Sequence, residues 1–158
     1  MLFKIKSGLY VLYLMLIIFK LANENKAKYF MERYQSKAKW EGIVGYSRAV
    51  KAGNTIYVSG TVAVDDDGHF IGRGDAYKQT VFIINKIRKA IQNLGGDLED
   101  VVRTRIYVTN IIYWKQVGKA HGEYFKDIMP ATTMIEVSNL IDAECVVEME
   151  AEAIIPTK

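Results

Sequence analysis

The sequence predicts one α+β domain: a single mixed sheet with two helices on one face, in the chain order β-β-α-β-α-β-β. Two segments with helical apolar spacing, Asp75 to about Asn93 and Tyr113 to about Met129, lie among runs in which polar and apolar residues alternate. Glycine, aspartate and proline clusters mark the boundaries between them.

Residues 1–30 read as a segment apart from the domain of residues 31–158. Lys4 and Lys6 precede an apolar run from Gly8 to Phe19, followed by the polar stretch Asn23-Glu24-Asn25-Lys26. That run is shorter than the ~20 residues a membrane-spanning helix needs. Three readings stay open for it. It is a signal-like leader or anchor, although Lys20 and Asn25 spoil the small-residue pattern before Ala22 and Ala27. It is read-through upstream of a true start at Met31, since Phe, Leu, Ile, Lys, Tyr and Asn fill 22 of the first 30 positions. Or it is a helix lying on a membrane surface. Membrane contact is expected only if the leader is a genuine anchor, and otherwise the expected location is the cytoplasm.

The first two strands are expected at Tyr46 to Val50 and Thr55 to Ser59, joined by the turn Lys51-Ala52-Gly53-Asn54. Asp65-Asp66-Asp67-Gly68 is a second turn, after which Asp75 is a good N-cap for the first helix. Tyr77, Val81, Ile84, Ile91 and Leu94 share one face of it, and Gly95-Gly96 ends it. Strand Val101 to Val108 follows. The second helix puts Trp114, Val117, His121, Phe125 and Ile128 on one stripe before Pro130 stops it. Strands Thr132 to Val137 and Cys145 to Ile155 complete the set.

Side chains on a strand alternate between two sides. One side collects Val102, Ile106, Val108, Ile135, Val137, Val147, Met149, Ala151 and Ala153, and should receive the helices. The other collects Arg103, Arg105, Tyr107, Thr132, Met134, Glu136, Glu148, Glu150 and Glu152. From the residues alone this second face is either the solvated side of an antiparallel sheet with cross-strand ion pairs or a face buried against other subunits.

Composition narrows the function classes. Half of the 158 residues are apolar, a quarter are charged, and only two are proline, which describes a packed domain. The 21 basic residues against 18 acidic ones are scattered, without the basic run that tracks a phosphate backbone, so no nucleic-acid partner is expected. The single cysteine, Cys145, leaves no disulfide framework and no zinc set, and it reads as a small buried hydrophobe on a strand. His69 in a glycine-rich turn and His121 on the helix stripe read as solvated or structural. No metal and no cofactor are expected.

Several ordered segments carry a resemblance. Val44-Gly45-Tyr46-Ser47-Arg48-Ala49-Val50, Ile56-Tyr57-Val58-Ser59-Gly60-Thr61, Val102 to Val108, Pro130-Ala131-Thr132-Thr133-Met134-Ile135-Glu136-Val137 and Val147-Glu148-Met149-Glu150-Ala151 resemble the RidA (YjgF, or translation-inhibitor L-PSP) family in order and spacing. The match runs over about residues 40 to 155. What the resemblance implies is a chorismate-mutase-like (YjgF-like) protomer in a homotrimer whose sheets form a barrel-like centre, with active sites in the clefts between subunits. On that view the charged face is the intersubunit face.

The resemblance also implies a reaction: hydrolysis of a small 2-imino or enamino acid to a 2-oxo acid and ammonia, without cofactor or metal. Carried over by position, Glu148 handles the attacking water, with Glu150 as fallback because the loop Ser138 to Ala143 is one residue longer than the family pattern. Tyr46, Ser59 and Gly60 line the pocket. Thr132 stands where the family has the arginine that grips the substrate carboxylate, and Thr133 and Met134 follow it. Arg105, on the same predicted face, could supply that charge from another strand. The expectation is therefore an imine or enamine deaminase whose substrate differs from 2-iminopropanoate. The alternative is a non-catalytic trimer that binds a small metabolite or regulates through one.

Overall fold

A computed structural model describes residues 12–18, 31–36 and 38–156. The chain divides into two compact units, Met1–Phe30 and Met31–Lys158. In the first, residues 12–18 form a helix, α1. The rest of the apolar leader lies outside the described residues. No described helix is long and apolar enough to cross a membrane.

The second unit holds β1 (Met31–Tyr34), α2 (Lys39–Val44), β2 (Ala49–Ala52), β3 (Thr55–Val62), α3 (Ala76–Gln92), β4 (Val101–Val108), α4 (Trp114–Phe125), β5 (Ala131–Glu136) and β6 (Val147–Ile154). The six strands form one sheet in the order β1-β2-β3-β6-β4-β5. All neighbours are antiparallel except β4 and β5, which run parallel. The α+β class, the mixed sheet and the two long helices are as the sequence predicts. β1 and α2 are additions: their segments are too short to show a period. The first hairpin strand begins at Ala49 rather than Tyr46, because Tyr46 is tied back to the end of α2 by its N–H on the Glu41 carbonyl.

Local chemistry sets the boundaries of α3. The Asp75 carboxylate accepts from Lys78 N at 3.0 Å and closes its first turn. Gly95 adopts φ 89°, the left-handed conformation that lets Gly96 N–H return to the Ile91 carbonyl. Against the sheet, α3 buries Ile83, Ile84, Ile87 and Ile91, and α4 buries Val117 and Phe125. From the sheet they meet Ile56, Ile106, Val108, Val147 and Met149, all at most 1 % exposed. Each such side chain contributes about 1.5–3 kcal/mol relative to leaving it in water.

Several face assignments shift. The buried stripe of α3 runs through Ala76, Gln79, Thr80, Ile83, Ile84, Ile87, Ala90 and Ile91, so Tyr77 and Val81 lie on its flank. Trp114 is exposed because the preceding 3-10 turn, Ile111–Tyr113, rotates the start of α4 away from the sheet. A register irregularity between Val101 and Arg103 buries Val101 and turns Val102 out.

β5 has the phase opposite to the predicted one. Its parallel register sets Thr132 beside Thr104, Met134 beside Ile106 and Glu136 beside Val108, so these three belong to the helix side. Ile135, paired with Tyr107, belongs to the charged side and is exposed.

Candidate functional site

The arrangement of β3 and β6 creates the most chemically distinctive spot on the charged face. Between Val58 and Thr61 the β3–β6 ladder slips, and Ser59 and Gly60 form the irregularity. The missing side chain of Gly60 leaves a notch, and the Glu148 carboxylate fills it. A Cβ at position 60 would stand 2.0 Å from Glu148 Oε1. The start of β6 is held in turn by Gln79, which is 1 % exposed. Its Oε1 accepts from Val146 N at 2.9 Å and Val147 N at 3.3 Å, and its Nε2 donates to Glu144 O at 2.7 Å.

Glu148 is half-buried, and among the described residues no side chain hydrogen-bonds its carboxylate. Burial pushes its pKa above the usual carboxylate range, with the neighbouring charge of Glu150 adding to the rise and that of Arg48 opposing it. Glu150 has a different environment. Its Oε1 accepts from the Tyr107 hydroxyl at 2.6 Å and lies 3.5 Å from Arg105 Nη1. Of the two glutamates, Glu148 is the free carboxylate with the perturbed proton equilibrium and Glu150 is the paired one.

Gly60 lies against Glu148, Tyr46 and Ser59 are tied to the Gly60 segment, and the residue that joins them is one the sequence reading left without a role. Arg48 is 5 % exposed. It donates from Nη1 to the Gly60 carbonyl at 2.8 Å and to Thr61 Oγ1 at 3.1 Å, and from Nη2 to the Tyr46 hydroxyl at 3.1 Å. Ser59 Oγ donates to the Ser47 carbonyl at 2.8 Å, which clips the irregularity of β3 to the segment bearing Tyr46. The burial of Arg48 is a property of the fold and not of the local sequence, and a guanidinium is seldom taken out of water without partners.

Arg105, Thr132, Thr133 and Met134 are not part of this cluster. Arg105 is committed to Glu152 at 2.9 Å and Glu150 at 3.5 Å, and those carboxylates raise its pKa further. Thr132 lies on the edge strand β5, with β4 between it and β6. Its hydroxyl donates to the Pro130 carbonyl at 3.0 Å and lies 3.0 Å from Thr104 Oγ1, which also contacts His121 Nε2 at 3.0 Å. Thr133 is exposed beside Arg105, whereas Met134 packs on the core. Burial depresses the His121 pKa, and its ring packs on Phe125 with centroids 4.5 Å apart. Cys145 is buried, its thiol pushed up to about 11. Among the described residues Asp65, Asp67 and His69 could together approach a cation. Their contacts instead close the turn, with Asp65 accepting from His69 N at 2.8 Å and Asp67 N at 3.0 Å.

Comparison with known proteins shows the family. The sequence profile of the family described as Endoribonuclease L-PSP matches residues 36–155. An uncharacterized protein of Streptomyces coelicolor is 37% identical over 123 residues, 78% of this chain and 91% of that protein. The 3-aminoacrylate deaminase RutC of Acinetobacter baylyi is 30% identical over 111 residues, 70% of this chain and 87% of that protein. Among solved structures, a member of the YjgF/YER057c/UK114 family from Mycobacterium tuberculosis superposes with a TM-score of 0.72 at 40% identity, covering 80% of this chain and all of that one.

Proposed function

Because the chain belongs to the Endoribonuclease L-PSP family, among whose members is a 3-aminoacrylate deaminase, we propose that it is an imine or enamine deaminase. Its reaction turns a reactive C=N metabolite and water into a carbonyl compound and ammonia, with Glu148 as the general base. The observation that carries the reading is the half-buried Glu148 carboxylate, free of side-chain hydrogen bonds among the described residues, raised in pKa and seated on Gly60.

The chemistry needs one proton carrier. Glu148 takes a proton from water as the oxygen adds to the imine carbon, and the C=N π electrons collect on nitrogen. The proton then passes to that nitrogen, giving an amino alcohol. In the collapse of this intermediate the same carboxylate carries the hydroxyl proton to the nitrogen, so that the C=O bond forms, the C–N bond breaks, ammonia departs and Glu148 is ionised again. A carboxylate whose pKa burial raises above the usual range suits both directions of transfer. An enamine enters after protonation on carbon.

Thr132 defines the substrate by what it lacks. A charge-assisted bond to a substrate carboxylate is worth about 1.5–3 kcal/mol, and a threonine already bonded to Pro130 O and Thr104 supplies none of it. The favoured substrate is therefore an imine other than 2-iminopropanoate, with no carboxylate at that point. Thr132 lies on the helix side of the sheet edge and Glu148 on the charged side, with β4 between their strands, so a cleft using both would join two chains. The outer sheet face offers Tyr57, Val102, Ile135 and Ile154 as exposed apolar residues for that contact. A homotrimer closed on this face is the assembly proposed, and light scattering on the full chain tests it.

The deciding experiment is ammonia release from a panel of imines and enamines, with and without carboxylates, by the native protein and Glu148→Gln. Turnover that disappears with Glu148→Gln is the expected result. Saturable binding without turnover, indifferent to Glu148→Gln, would favour a metabolite-binding trimer. The engagement of Thr132 with the protein's own atoms favours that second reading.

A further inference from the structure

We infer that Arg48 is the positioning residue of this site: one guanidinium holds the Tyr46 hydroxyl, the Gly60 carbonyl and Thr61 Oγ1 in a fixed arrangement, and Gly60 is the residue on which the Glu148 carboxylate rests. The inference rests on the deaminase reading for its kinetic consequence and on the hydrogen-bond geometry around Gly60 for the positioning role.

A purely structural role explains Arg48 poorly. Its ion pair with Glu41 is long, 3.7 Å between Nε and Oε1, although the two side chains are only 7% and 4% exposed. Arg48 Nε and Glu41 Oε2 have no hydrogen-bond partner among the described residues. Burying two charges so imperfectly is costly, and apolar residues of similar size would commonly be as stable or more so. The good bonds of Arg48 go to Gly60 at the notch, to Thr61 beside it and to Tyr46. The Gly60 carbonyl belongs to the residue on which Glu148 rests, and Thr61 is the next residue of β3.

Tyr46 is held from two ends. Its N–H donates to the Glu41 carbonyl at 3.1 Å, and its hydroxyl accepts from Arg48. The guanidinium also lies over the tyrosine ring, 5.5 Å from its centroid. Glu41 is anchored by Ser36, whose hydroxyl donates at 2.6 Å and whose N–H donates at 3.2 Å to Oε1. α2 and the segment before it thus serve as the frame that sets Arg48 and Tyr46 against β3.

Charge is the second half of the role. The groups that act on Glu148 are Glu150 on β6, which raises its pKa, and Arg48, which lowers it. Tyr107 on β4 stands in register with Glu148, and Cys145 before β6 feels its charge. Arg48 is the cation of this set, and its charge opposes the upward push of burial and Glu150 on the Glu148 carboxylate. As the base must be ionised to take the water proton, loss of the Arg48 charge should move the acid limb of the rate to higher pH.

The test uses the full chain with two variants and two readouts. Arg48→Met alone would leave Glu41 as an uncompensated buried charge, so charge is removed by the double variant Glu41→Gln/Arg48→Met. Arg48→Lys keeps a cation but cannot reach Tyr46, Gly60 and Thr61 together. The readouts are the carbon-13 NMR titration of the Glu148 side chain, assigned by its loss in Glu148→Gln, and kcat against pH on the best substrate of the panel.

Arg48→Lys should lower kcat by about tenfold to a hundredfold, the loss of one or two charge-assisted bonds, while leaving the Glu148 titration near its native position and KM little changed. The double variant should shift the Glu148 titration and the acid limb upward together. A native kcat in Arg48→Lys, or an unmoved Glu148 titration in the double variant, would overturn the inference. If the native protein turns over no imine, the deaminase reading fails, and the titration by itself decides whether Arg48 governs Glu148.

Discussion

Gly60→Ala isolates the notch with a single methyl group. The new Cβ would stand 2.0 Å from Glu148 Oε1 and 3.1 Å from its Cδ. Comfortable contact lies at about 3.5 Å, so the carboxylate must retreat by more than an ångström. The backbone has no objection, because Gly60 is not among the positive-φ residues. Alanine also reduces the freedom of the unfolded chain, so stability should change by no more than about 1 kcal/mol in either direction. Activity should respond quite differently. Displacing a reacting group by about an ångström costs on the order of a hundredfold in rate. The assay is ammonia release on the best imine of the panel, beside a thermal melt. Because the methyl acts only through Glu148, Gly60→Ala/Glu148→Gln should be no slower than Glu148→Gln alone. Full activity in Gly60→Ala, or a further loss in the double variant, would refute the placement of the catalytic carboxylate in the notch.

Other predictions follow from the same coordinates. Burial raises the Glu148 pKa in the folded state, so the folded protein binds this proton more tightly than the unfolded chain. Stability from that proton is present at acid pH and lost as pH rises through the folded value; Glu148→Gln should therefore melt higher than native at pH 7 and lose that advantage near pH 4. Asp97 is the opposite case, held down to about 2 chiefly by Arg88, with its carboxylate also accepting from Gln92 and Leu98 N. Its contribution is present above the ordinary aspartate range and lost as pH falls through about 2. Asp97→Ala should cost about 1–2 kcal/mol at neutral pH as a lost cap, and much less in denaturant melts near pH 2. Thr132→Arg should raise hydrolysis of 2-iminopropanoate about tenfold to a hundredfold, measured as 2-oxo acid release. An unchanged rate would show that the cleft does not bring position 132 to the substrate.

Much of this was legible in the sequence, and what was not has definite physical causes. The N-cap Asp75, the glycine pair after α3 and the alternation in β4 and β6 are local signals, so those elements fall where they were expected. Faces are less local. Alternation within one strand says which residues share a side, but not which side of the sheet that is. For β6 the apolar parity Val147, Met149, Ala151, Ala153 decides it, and all four are buried. For β5 both parities are mixed, one holding Met134 and the other Ile135. Only the parallel pairing with β4 resolves them, by laying Met134 on Ile106.

The site was legible to the extent that it depends on single residue types. Glu148 and Gly60 belong to separate strands, and their contact is a property of the β3–β6 register, including its slip at Ser59 and Gly60. Arg48 was invisible for a different reason. An arginine on a strand flank usually reads as solvated, and nothing within residues 44 to 50 says that its guanidinium turns inward to a carbonyl on the next strand. The phase of β5 then gives the loss of the family arginine a structural meaning. Thr132 bonds Thr104, and Thr104 bonds His121, so position 132 is spent on joining the sheet edge to α4. Whatever cation balances an acidic substrate here has to come from elsewhere. Arg105 is already shared between Glu150 and Glu152, and Arg48 is sealed behind Tyr46 and Gly60. A site with its arginines so engaged favours an uncharged imine over a carboxylated one.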